Sequence, residues 1–290
     1  MCNFGIWTTG QFLYVERQFI NAIHLFDFDR IRIMNMEEYM PAEILRPFIK
    51  TYRIIESQGE LINRVVPSTS LAIAFCLRGK ISYVSGTNKI ALPAMMVSGL
   101  RKSVRLINYA PKTTALIVLF KETGVSAFFK QPLYELFEAS VSLDNLFLQS
   151  EIAILEERLA ETDSNKTKIA IVEQFFCSKL VYNKPDSIVS EAITRIYSNN
   201  GKIKMKELAA GLFISKDAFE KRFRKVAGAS PKQFSSLVKM KTIIQQTSIR
   251  PSFLDIALEN GYYDQSHFNK DFKLFTGLTP TDFFKSGSYW

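Results

Sequence analysis

Histidine and cysteine are scarce in this chain, with two and three copies in 290 residues. A His-rich metal centre is excluded by that count, because of the two histidines His24 lies outside the stretch of short apolar runs over 61–120 and His267 lies in a helix near the C-terminus. Cys2, Cys76 and Cys177 are too few and too scattered for a disulfide framework, and a reducing cytoplasm is the expected setting. Long apolar runs are missing as well. The longest, such as 71–77 and 115–120, fall far short of the ~20 residues that span a bilayer, so no membrane contact is expected. The N-terminus has no charged segment followed by an apolar one, and no signal peptide is expected. Glycine-rich phosphate loops and nucleophile-elbow sequences are absent, and residues 61–120 hold no convergent set of titratable residues. Neither a catalytic residue nor a cofactor is expected, and the chain reads as something other than an enzyme.

What the chain has is apolar content and positive charge. At 47% hydrophobic residues it is not disordered, and its length allows two domains with separate cores. The net charge is +9. After residue 185 there are 16 Lys/Arg against 10 Asp/Glu, an excess of +6; before it, 21 against 18 give +3. The excess is concentrated in the C-terminal third, as a phosphate-binding surface requires. Charge alone is equally compatible with a solvated surface.

The same third contains one pattern written twice. Phe219, Phe223 and Val226 recur 49 places later as Phe268, Phe272 and Phe275. Gly228, Ser230, Pro231 and Phe234 recur as Gly277, Thr279, Pro280 and Phe283, whereas Leu208-Ala209 recurs as Ile256-Ala257 with an offset one residue shorter. A one-residue slip belongs in a turn, so the pattern implies a duplicated helical unit. Each copy reads as helix, turn, helix. In the first, 205–212 precedes a helix over 216–227 capped by Ser215; in the second, 253–260 precedes one over 265–275 capped by Asp264. Ahead of both, Asp186 caps a helix over 187–198. The stripes at spacings of 4 and 3 face inward. Lys216, Asp217, Glu220, Lys221 and Arg224 remain outside on the first helix, and Gln265, Ser266, His267, Lys270 and Lys273 on the second. A polar face on a short capped helix is what enters a DNA major groove. Ser230-Pro231 opens a third helix that runs to about residue 248. Its length, roughly 27 Å at ~1.5 Å per residue, can hold two such helices about one DNA turn, roughly 34 Å, apart.

The segments LAAGLFISKDAFEKRFRKVAGASPKQF and DIALENGYYDQSHFNKDFKLFTGLTPTDF resemble the DNA-binding domain of the AraC/XylS family of bacterial transcription regulators. The resemblance covers about residues 186–290. It implies double-stranded DNA as partner, read by two helices, with Asp217, Glu220 and Lys221 turned toward bases. Lysine can read guanine, glutamate can accept from cytosine N4, and Gln265 can pair with adenine. Lys216, Lys225 and Lys273 are placed on phosphates. His267 reads either as a base or phosphate contact or as a surface histidine. Two departures bear on the target sequence, not the fold: Lys221 beside Glu220, and Lys239-Met240-Lys241 where Arg-Leu is usual. Regulators that share this domain and repair alkylated DNA use clustered cysteines, which this chain cannot supply.

Upstream, residues 61–120 carry short apolar runs with Gly and Pro turns, the signature of a small antiparallel barrel or sandwich. The runs on either side of Arg78-Gly79-Lys80 read as a hairpin. This part resembles, less closely, the cupin-like sensor domain of one branch of the same family, except that Lys121-Glu122 stands where Arg-Pro is common. By that resemblance the domain senses a small-molecule effector or makes a homodimer, and RNA polymerase becomes a partner. The stretch 131–182 reads as two helices packed on the barrel, or as a dimer surface. Cys76 reads as core before redox sensor. Residues 1–35 are aromatic-rich without a period and read either as an added element or as sequence upstream of a start at Met36. The expectation is therefore an α+β chain with an uncertain extension over 1–35. A cupin-like β barrel with flanking helices follows over 36–184, and an all-α double helix-turn-helix domain over 185–290. Its rivals are a DNA binder with little sequence preference and a barrel enzyme with a DNA-binding appendage.

Overall fold

The structure is a computed structural model that describes residues 34–129, 131–181, 184–247 and 252–285. Cys2, His24 and the first 33 residues of the expected extension lie outside the described residues. Its last two do not. Strand β1 (Met34–Tyr39) begins before Met36, and Met34 and Asn35 pair with Ser57 and Glu56 of β2 (Ile49–Ser57) in unbroken register. Between these strands Pro41 and Pro47 bracket a single 3-10 turn, Glu43–Leu45.

Eight further strands follow: β3 (Leu61–Val65), β4 (Ala72–Arg78), β5 (Ile81–Ser85), β6 (Asn88–Ala91), β7 (Met95–Ser98), β8 (Arg105–Tyr109), β9 (Thr113–Phe120) and β10 (Ser140–Ser142). They form two antiparallel sheets, ordered β1-β2-β9-β4-β7-β10 and β3-β8-β5-β6. The hairpin expected around Gly79 does not form. β4 pairs with β9 and β7, whereas β5 pairs with β8 and β6, so the chain changes sheets at Gly79, where φ is +82°. A turn signal between two apolar runs specifies a reversal, not the partner strand, and here the hydrophobic faces favour different sheets.

The middle strands of the large sheet are covered on both faces, and the alternation along β9 shows how. Ala115 and Ile117 face the small sheet, packing with Ile55, Cys76, Ile81, Ile107 and Tyr109. Leu116, Val118 and Phe120 face the other way, into the main core. On that side the buried faces of α1 (Gln149–Ala160) and α2 (Asn165–Lys179) join the same core. The Phe176 ring meets Phe120 and Phe128 edge-on, at centroid distances of 5.5 and 5.1 Å.

The C-terminal part is all helical: α3 (Ser187–Ser198), α4 (Met205–Ala210), α5 (Lys216–Ala227), α6 (Pro231–Thr247), α7 (Phe253–Glu259), α8 (Gln265–Thr276) and α9 (Pro280–Lys285). The repeat is visible in its packing. Phe219, Phe223 and Phe234 form a chain of edge-on rings at 5.7 and 5.5 Å. Phe268, Phe272 and Phe283, 49 places on, repeat it at 5.5 and 5.4 Å. Such pairs add about 0.5–1.5 kcal/mol each beyond the area they bury. All six rings are at most 1% exposed.

Candidate nucleic-acid interface

Local chemistry fixes where each exposed helix starts and stops. Ser215 Oγ accepts from Ala218 N (3.3 Å) at the head of α5, and Asp264 Oδ1 accepts from His267 N (2.7 Å) at the head of α8. A cap of this kind contributes about 1 kcal/mol. Both helices end in a left-handed glycine, Gly228 at φ +78° and Gly277 at φ +80°, a conformation that costs other residues strain. Between them, α6 opens with a reciprocal cap. Gln233 N donates to Ser230 Oγ (3.2 Å), Ser230 N donates to Gln233 Oε1 (2.8 Å), and Pro231 occupies the first helical position. At 17 residues α6 is about 26 Å long.

With the phenylalanines turned inward, the opposite faces of α5 and α8 are left to solvent. Lys216, Asp217, Lys221 and Arg224 are exposed and Glu220 is half-buried. Gln265, Ser266, His267, Lys270 and Lys273 are exposed. The structure thus brings the ten residues together in two groups of five, one per helix. They are not equivalent along the helix. Lys216, Asp217, Gln265, Ser266 and His267 stand in the first turn, which a groove-reading helix presents to bases. Arg224 stands in the last turn of α5, with Nη1 3.8 Å from Glu220 Oε1. His267 Nε2 lies 3.6 Å from Asp271 Oδ2. Arg222 is turned away from this face and braces α5 against α3. Its Nε donates to Asp186 Oδ2 (2.8 Å), while Asp186 Oδ1 caps α3.

One supporting cluster had no signal in the sequence. The Lys239 ammonium on α6 lies 3.9 Å from the centre of the Tyr262 ring, and Tyr262 OH donates to Asp271 Oδ2 (3.2 Å) on α8. Burial pushes the Lys239 ammonium down from its ordinary value, against the opposing pull of Asp271. Burial, reinforced by Asp271, raises the Tyr262 phenol and keeps it protonated. This cluster ties the long helix to the second exposed helix. Among the described residues no group of three His, Cys, Asp or Glu side chains could hold a metal ion.

Residues 208–286 match a family model described as a helix-turn-helix domain. The C-terminal domain is an AraC-type helix-turn-helix domain. DNA-binding transcription regulators are the class of protein to which this AraC-type domain assigns the chain. Residues 37–142 match a domain family of unknown function, DUF6597. No curated protein matches the chain. Among solved structures it is similar to unsaturated fatty acid-bound ToxT from Vibrio cholerae, at 14% identity over 86% of this chain and 93% of that one, with a TM-score of 0.36. A cupin of the RmlC type from Desulfovibrio desulfuricans is similar at 16% identity over 34% of this chain and 91% of that one, with a TM-score of 0.24. The AraC-like transcriptional activator CuxR is similar at 12% identity over 74% of this chain and 87% of that one, with a TM-score of 0.22.

The AraC-type domain is held by the β part at the far ends of both exposed helices. The Arg224 guanidinium lies over the Tyr134 ring at 5.5 Å, and the 3-10 turn Leu133–Leu136 packs along α5. On the second unit, Val104 N donates to the Leu274 carbonyl (3.2 Å), and Arg64 Nη1 lies 3.5 Å from the Thr276 carbonyl. A cation and an N–H donor at a helix C-terminus suit its dipole. A third link runs from α3, where the Tyr197 hydroxyl bonds Glu122 Oε1 (2.7 Å) and Thr69 Oγ1 (2.8 Å). Glu122 belongs to the Lys121-Glu122 pair that departs from the family pattern. Among the described residues no helix is long and apolar enough to cross a membrane.

Proposed function

We propose that this protein is a sequence-specific transcription regulator that reads two successive major grooves with α5 and α8. The observation that supports this most is the double unit itself: two capped helices, each locked by the same run of three edge-on rings, with polar outer faces and one connecting helix of suitable length. Asp217, Glu220 and Lys221, and Gln265, Ser266, His267 and Lys270, carry the base contacts in this reading. Lys216 and Lys273 take phosphates. The acidic pair on α5 weakens its pull on DNA, so α8 dominates affinity. We place the domain boundary near Lys184 and set the chain's action in the cytoplasm.

The reading also gives the β part a role. It touches both groove-reading helices near their C-terminal ends, which gives it a route to their relative placement. An effector or a second copy of the chain acting on the β part would then act on DNA affinity. The test is a salt titration of duplex binding by the full chain. Affinity that falls steeply as salt rises is expected, since each phosphate contact contributes about one to the slope of log K against log salt. A chain that binds no duplex at any salt contradicts the reading.

A further inference from the structure

Phe213 is 99% exposed and adopts a left-handed backbone at φ +55°. Both features are unfavourable for phenylalanine, whose Cβ strains that conformation and whose ring here lies in water. The second unit shows that the turn uses the left-handed backbone but does not need a phenylalanine there. Ile214 N donates to the Ala209 carbonyl (3.2 Å), and Tyr262 N donates to the Ala257 carbonyl (3.0 Å). Phe213 N donates to the Ala210 carbonyl (3.0 Å), and Gly261 N donates to the Leu258 carbonyl (2.9 Å). Phe213 and Gly261 therefore occupy the same turn position, and Gly261 sits there at φ +75° with open space around it. Tyr263 is the residue inserted by the one-residue slip, and it is 92% exposed. Each unit thus carries one almost fully exposed aromatic in the turn leading to its groove-reading helix, by two different local routes.

We infer that Phe213 and Tyr263 are duplex contacts, packing their rings on the deoxyribose wall that borders each groove. The inference rests on the proposed DNA reading. The turn is continuous with the first turn of each reading helix, and a helix whose N-terminus enters a groove sets that turn beside the backbone. The neighbours of Phe213 suit a polyanion, whereas Tyr263 stands beside the capping Asp264. Lys216 opens α5 just beyond the turn, Lys206 stands on α4 just before it, and both are exposed. An apolar ring on a sugar adds affinity without releasing a counterion, so it leaves the salt dependence untouched.

The test compares full-length wild type with Phe213→Gly, Phe213→Asn and Tyr263→Ala, by thermal melting and by binding to a random-sequence duplex across a salt series. Both Phe213 variants tolerate the left-handed backbone, so melting is expected to stay level or rise. Affinity is expected to fall about fivefold with an unchanged salt slope, in contrast to Lys216→Ala, which flattens it. Wild type that binds no duplex overturns the DNA reading and this inference with it. Wild type that binds, with either the Phe213 variants or Tyr263→Ala binding equally well, overturns this inference alone and leaves that turn to a protein partner. A Phe213 variant that melts lower and binds no worse also overturns it, since the ring would then serve the fold.

Discussion

Lys239, Tyr262 and Asp271 show how single side chains position the second reading helix. A half-buried ammonium on an aromatic face contributes about 0.5–2 kcal/mol, so Lys239→Gln should lower stability by that amount in denaturant melts while leaving the helices intact. Two exposed lysines one turn apart should separate cleanly. Lys270→Ala should cost about 1–3 kcal/mol of binding and relax preference at one base position, whereas Lys273→Ala should weaken all duplexes alike and reduce the salt slope by about one. Equal effects on every sequence from Lys270→Ala would move it from base to phosphate. The ten candidate residues are visible in the sequence because helical spacing sorts a short helix into two faces. The Lys239–Tyr262–Asp271 cluster is not, because it depends on how α6 crosses α8, and no local pattern encodes that.

At the scale of elements, the repeated runs of three edge-on rings carry the helical domain. Phe223→Ala and Phe272→Ala each leave a cavity where a fully buried ring stood and should cost about 3–5 kcal/mol. Against typical net stabilities of about 5–15 kcal/mol that is a large share. Both variants should melt well below wild type, and a wild-type melting temperature in either would contradict the packing. The helices are legible from sequence almost to the residue. Asp186, Ser215 and Asp264 have the chemistry of caps and serve as caps, because capping is a local interaction. Strands are legible as strands but not as a sheet. β4 and β5 lie two residues apart in sequence and in different sheets, because pairing is decided by distant partners such as β9 and β8. β10 is hidden in a stretch that reads as helical, since three residues hold no period.

At the scale of the molecule, the β part and the AraC-type domain share one continuous core and meet at Tyr134–Arg224, Val104–Leu274 and Tyr197–Glu122. Tyr134→Ala removes the ring that engages Arg224. If that contact restrains α5, duplex affinity of the full chain should rise by about fivefold, the lower end of ordinary coupling between sites; unchanged affinity would show that the contact carries no coupling. The most direct measurement of the whole account is selection of duplexes bound by the full chain from a random pool, followed by sequencing. Two reading helices on one connecting helix predict an enriched motif of two short half-sites about 10 base pairs apart, on one face of the duplex. Retention of DNA with no enriched motif, or a motif confined to a single half-site, would contradict it.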